Sequence, residues 1–293
     1  MSNNYLMTPY DSALSDILKN GEVRENRTGV NTRALFGYQM RFDISERFPI
    51  LTKRKMFPKS VFAELLWILS GSTNVNDLEA MGSKIWSAWR DKDFESRNGY
   101  EDGELGPAYG WSLRSFGKHY PNKKHLLSEY PEYQGFDQLL YVVNELKNNK
   151  NSRRILFSYW DPQVMTTDKV KLPSCHLLFQ LNVDSKDRLS GMLYQRSCDM
   201  GCGAPANIQF YSALIYLLAQ QCGYLPNEFI HAIADCHVYE NQSSAVEEYL
   251  IRDPIDSPKL VINKAKDIES YSLEDFQLID YFPAPHIKMP VAV

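Results

Sequence analysis

The chain has 293 residues, 44% of them apolar and 13% aromatic, which is enough to bury a substantial core. Its formal net charge of −4 excludes a strong electrostatic footprint for nucleic acid or an anionic membrane, so an anionic ligand must be held by a local cluster of Arg or Lys. Five cysteines, an odd number, argue against a disulfide framework, and the spacing of Cys198, Cys202 and His237 matches no zinc pattern.

The opening MSNNYLMTPYDS has neither the basic nor the apolar stretch of a signal peptide. No apolar run approaches the ~18 residues needed to span a bilayer. The expectation is a soluble cytoplasmic protein without a metal. Thr8-Pro9 predicts a helix start with Thr8 as the cap; Ala13, Leu14, Ile17 and Leu18 then share a face, and Gly21 closes it. Residues 32–44 read as a long strand and 59–70 as a largely buried helix with Glu64 among its apolar residues. Residues 91–104 and 117–135 read as loops, and 136–148 as an amphipathic helix built on Phe136, Leu139, Leu140, Val143 and Leu146.

Strand-like runs follow at 154–160, 176–183 and 188–196, then an apolar helix over 207–222 after the Gly-Ala-Pro turn at 203–205. A strand precedes His237, a helix covers 240–251, and a last strand lies near 259–263. Long strands and helices without a βαβα rhythm predict one α+β domain over residues 1–293.

Cys175, in LPSCH, is the candidate nucleophile. His176 beside it is poorly placed as its base, because neighbours on a strand point to opposite faces. Arg27, Arg153, Arg154 and Arg196 sit at element ends, where guanidinium forks can grip phosphate and depress a thiol pKa. Glu64, Asp199, Asn207, His237 and Tyr239 are polar residues in apolar surroundings. A buried Glu64 would have its pKa raised into an acid–base range. Asn207 could cap a helix or pair with a base edge, since its amide offers both donor and acceptor.

RENRTGV (24–30), FPILTKRK (48–55), ELLWILSGSTNVNDL (64–78), IWSAW (85–89), ELGPAYG (104–110), NSRR (151–154), LPSCH (172–176), QRSCD (195–199), PANI (205–208), DCHVYEN (235–241) and IKMPVAV (287–293) resemble, in order, the blocks of thymidylate synthases. The resemblance implies a three-layer α+β fold, a large mixed sheet packed at a homodimer interface, dUMP as substrate and methylenetetrahydrofolate as carbon donor. It also implies that Cys175 adds to carbon 6 of the pyrimidine, with Glu64 and Tyr109 moving protons and Asn207 reading the uracil edge. Arg27, Arg196 and Ser197 would hold the 5′-phosphate, with Arg153 and Arg154 reaching in from the other subunit. His237 and Tyr239 would hold the 3′-hydroxyl. Trp86, Trp89, Leu172, Asp199, Gly203 and the tail ending at Val293 would bind and enclose the folate.

The chain departs from the family pattern at Ser174 (usually Pro), Ser87 (usually Asp), and Cys202 and Ala206, where a Leu and a Phe are usual. Deoxynucleotide hydroxymethylases of the same superfamily resemble it at the first two positions. Such changes would enlarge or polarise the folate side of the pocket and admit water. The expectation therefore leans to a deoxyuridylate hydroxymethylase making 5-hydroxymethyl-dUMP, with reductive methylation to dTMP as the alternative. Trp86 and the IKMPVAV tail favour the alternative. An inactive nucleotide- or RNA-binding regulator is the third reading, opposed by the joint presence of Cys175, Glu64, Tyr109 and Asn207.

Overall fold

The computed structural model describes residues 4–123 and 135–291. It opens with α1 (Thr8–Asn20), β1 (Glu22–Arg24), β2 (Thr32–Asp43), α2 (Pro58–Leu69), α3 (Val75–Ala80), α4 (Lys92–Asn98) and α5 (Tyr109–Arg114). Next come α6 (Gln138–Asn148), β3 (Leu156–Ser158), α7 (Pro162–Met165), β4 (His176–Val183), β5 (Arg188–Asp199), α8 (Gly203–Cys222), β6 (Leu225–Tyr239), α9 (Ser243–Ile251), β7 (Lys259–Ile262) and β8 (Phe276–Ile279). Six strands form a mixed sheet in the order β1-β2-β6-β5-β4-β3, and β7 pairs with β8 apart from it. Only β5 and β6 run parallel, because α8 carries the chain back between them. This is the mixed α+β sheet that the strand pattern and the resemblance predict.

Helix α8 is apolar on nearly every side, as a helix buried between sheet and helices must be. Along β5, Leu189, Leu193 and Gln195 point to the core while Met192 and Tyr194 face out, the alternation of a half-covered sheet. Among the described residues no helix is long and apolar enough to cross a membrane.

Several local expectations are corrected. Thr8 is the first helical residue rather than the cap, which is Met7 and makes no side-chain bond. The expected loop over 91–104 contains α4, started by the Asp91 carboxylate accepting from the Asp93 and Phe94 amides and stopped at Gly99, whose φ is 69°. The buried face of α6 is Leu139, Val142 and Leu146, with Phe136 and Leu140 exposed. Helix α8 begins at Gly203, four residues before the expected start. Residues 240–242 form a 3-10 turn before α9. The expected loop over 117–135 lies largely, and Val293 wholly, outside the described residues.

Candidate active site

The site lies at the carboxyl ends of β5 and β6, where register sets Ser197 beside Asp235 and Asp199 beside His237. Cys175 enters from the turn before β4, next to that end. Its amide donates to the Tyr109 hydroxyl at 2.9 Å, and its carbonyl accepts from the Arg196 amide at 2.9 Å. The Arg196 guanidinium braces the same turn, donating to the Ser174 carbonyl at 2.9 Å and the Pro173 carbonyl at 2.8 Å, and it lies over the Trp160 ring. Burial pushes the Cys175 thiol above its ordinary value, while the charges of Arg196 and Arg27 pull it back. Arg27 itself is exposed in a turn closed by Asn26, whose side chain accepts from the Thr28 amide and hydroxyl.

His176 turns inward, its Nδ1 3.0 Å from the Tyr211 hydroxyl, and burial lowers its pKa to about 4. It is no partner for Cys175, as strand alternation predicts.

Glu64, from α2, receives the Trp86 indole N–H at 2.5 Å. Burial lifts its carboxyl to about 7, and the indole bond acts the other way. Trp86 packs on Trp67, Trp89 and Tyr109. A small, mostly apolar cavity lies against this wall, lined by Trp67, Trp86, Leu105, Ala108, Tyr109 and Leu172. Burial and the adjacent Cys175 hold the Tyr109 phenol well above its usual range.

Asn207 is the fifth residue of α8, so it does not cap that helix. Its amide nitrogen lies 3.2 Å from Gln195 Oε1. His237 pairs through Nδ1 with Asp235 at 2.7 Å and meets the Tyr239 ring edge-on. Asp199 accepts from the Gly201 and Cys202 amides at 2.9 and 3.1 Å and from Gln242 at 3.1 Å. A Cβ on Gly203 would come to 3.9 Å from the Asn207 amide and 4.0 Å from Asp199, so glycine leaves open the space between them. Gln242 also donates to the Pro290 carbonyl at 2.9 Å, and the Cys202 thiol faces the Met289 and Pro290 carbonyls at 3.7 Å.

Of the departures from the family pattern, Ser87 and Cys202 have side-chain partners, whereas the buried Ser174 hydroxyl has none among the described residues. Ser174 is fully buried, and its amide, which a proline would lack, donates to the Met165 sulfur at 3.5 Å. Ser87 donates to Glu79 at 2.5 Å, within an ion pair of Glu79 and Arg90. Cys202 fills its place against the tail.

Arg153 and Arg154 stand apart from the rest. Both are exposed, and Leu156 pairs with Gln180, so they sit near the far end of β4, ~20 Å along the strand from Cys175. The structure also adds three residues that sequence reasoning missed: Gln195, His231 and Gln242. Gln195 and Gln242 lie inside or beside quoted blocks, but amides there look like ordinary surface residues until the fold buries them. Among the described residues no cluster of three His, Cys, Asp or Glu could hold a metal ion.

A carboxyl lifted by burial, an aromatic wall and a cysteine turn braced by an arginine at the end of a mixed sheet define an α+β protein with a candidate thiol site. A profile described as Thymidylate synthase matches residues 8–293, and the chain belongs to that family. It is 41% identical over 288 residues to the bifunctional dihydrofolate reductase-thymidylate synthase of Zea mays, covering 97% of this chain and 54% of that protein. It is also 41% identical over 288 residues to bifunctional dihydrofolate reductase-thymidylate synthase 2 of Arabidopsis thaliana, covering 97% of this chain and 50% of that protein. The chain spans about half the length of the curated relatives it matches.

Proposed function

We propose that the protein methylates carbon 5 of dUMP reductively, giving dTMP and dihydrofolate. The observation that carries this reading is the continuous set Cys175–Tyr109–Trp86–Glu64, which links the Cys175 turn through a phenol and an indole to a carboxyl of pKa about 7, with Tyr109 and Trp86 lining a small apolar cavity. The aromatic wall suits a flat pteridine, and methylenetetrahydrofolate would supply both the one-carbon unit and the hydride.

Cys175 adds to carbon 6 of the uracil ring, which turns carbon 5 into a nucleophile, and leaves at the end of the reaction. Arg27, Arg196 and Ser197 hold the 5′-phosphate, and the Nη1 edge of Arg196 is not used by its bonds to the Cys175 turn. His237 and Tyr239 hold the sugar hydroxyl. Asn207 pairs with the base. Glu64, poised near neutrality, gives and takes protons at the base carbonyl, and Tyr109 helps to remove the proton from carbon 5. Asp199, Trp86, Trp89, Leu172, Gly203 and the tail ending at Val293 enclose the folate and keep water out.

The expectation of water capture rests on Ser174, Ser87, Cys202 and Ala206. Ser87 and Cys202 bond to Glu79 and to the Met289 and Pro290 carbonyls of the tail, which ties both side chains into the protein. The relatives' names, which include thymidylate synthase, support the reductive outcome. Arg153 and Arg154 are too far from their own Cys175 to touch its nucleotide, which suits service to a partner's site. The exposed Met192, Tyr194 and Phe36 on the outer sheet face suit a homodimer.

Incubation with 5-fluoro-dUMP and methylenetetrahydrofolate tests this reading. Denaturing mass spectrometry should show a covalent adduct that Cys175→Ala abolishes. Nucleotide binding without an adduct would make the protein a binder instead.

A further inference from the structure

We infer that His231 is a specificity-determining positioning residue: its ring N–H holds the Gln195 amide in the one orientation that turns Asn207 to fit uracil rather than cytosine. The inference rests on the proposed role of Asn207 in pairing with the base.

The argument needs only donors and acceptors. The Ser197 carbonyl can only accept, so the end of Gln195 that lies 2.9 Å from it is Nε2. Gln195 Oε1 is therefore the atom 2.8 Å from His231 Nε2 and 3.2 Å from Asn207 Nδ2. An oxygen at that point demands donors on both sides. His231 must carry its proton on Nε2, and Asn207 must turn its NH2 toward Gln195. Uracil presents a donor at N3 and an acceptor at O4, whereas cytosine reverses both, so a flipped Asn207 amide would match the wrong base.

His231 is wholly buried in β6, and among the described residues its Nδ1 has no hydrogen-bond partner. The ring therefore makes one hydrogen bond, and that bond goes to Gln195. Burial and the nearby His176 hold its pKa at about 3, so it stays neutral, with a single N–H, through the physiological range. Gln195 is itself 2% exposed, so no bulk water replaces a lost donor.

The test is calorimetric binding of dUMP and dCMP to the full chain. His231→Phe removes the donor and should lower the dUMP-over-dCMP preference roughly tenfold, the worth of about one hydrogen bond. His231→Gln, which keeps a donor, should restore most of it. A folded His231→Phe protein with the wild-type preference overturns the inference and leaves the proposed function standing. Wild type that binds neither nucleotide overturns both. Should His231→Phe fail to fold, nitrogen-15 NMR of the wild-type histidines decides: the Nε2–H tautomer at His231 supports the inference, and the Nδ1–H tautomer overturns it.

Discussion

The Trp86 indole N–H meets Glu64 Oε1 at 2.5 Å and opposes the burial that lifts this carboxyl to about 7. One hydrogen bond thus limits how far burial displaces this carboxyl. The same indole lines the small cavity beside Tyr109 and Leu172, so Trp86 serves both the carboxyl and the cavity wall.

Trp86→Phe should separate those effects. Without the donor, the carboxylate form of Glu64 loses support and its pKa climbs, by about one unit for a hydrogen bond to a charged group. The acidic limb of the kcat profile for dTMP formation should move to higher pH by that amount. An unmoved limb would mean that Glu64 is not the group titrating.

Glu64→Gln should slow turnover by about 10²–10⁴ while nucleotide binding survives. Its effect on stability carries the opposite sign. The folded carboxyl, raised to about 7 from 4.5, holds its proton where the unfolded chain has released it, so wild-type stability falls as pH rises through that window. The variant should therefore be more stable than wild type at pH 8, by up to about 3 kcal/mol, with the difference gone near pH 4.5. Denaturant melts at the two pH values check this.

Arg196→Lys removes a fork that holds two carbonyls of the nucleophile's turn. An ammonium cannot reproduce both bonds and a phosphate contact. We expect kcat/KM to fall about 10²-fold, with KM rising and kcat falling together, since the proposed phosphate contact and Cys175 placement share this side chain. A change confined to KM would assign Arg196 to the phosphate alone.

Gln242→Leu cuts the link from Asp199 to the Pro290 carbonyl. Two hydrogen bonds of this kind are worth about 1–3 kcal/mol together, so KM for the folate should rise roughly tenfold and the tail should become more sensitive to carboxypeptidase. Unchanged KM and unchanged digestion would show that the tail is held elsewhere.

The elements that carry the site were legible where periodicity was strong. The aromatic residues Phe36, Tyr38 and Phe42 of β2 and the buried apolar faces of α2 and α8 gave themselves away. Helix α4 did not, because only Phe94 and Glu95 are buried on it and its polar surface reads as loop. Of the two sequence readings of Asn207, the cap fails because the helix starts four residues earlier at Gly203. Gln195 and Gln242 gain their meaning from His231 and Asp199, 36 and 43 residues away in sequence. No local pattern encodes such pairings. The partners of Ser87 and Cys202, at Glu79 and the tail, likewise become visible only in the fold.

The reductive step is tested most directly by identifying both products of dUMP and methylenetetrahydrofolate in one mass-spectrometric assay. dTMP formed in equal amount with dihydrofolate is the predicted result. 5-Hydroxymethyl-dUMP with tetrahydrofolate would contradict it and show that water completes the reaction.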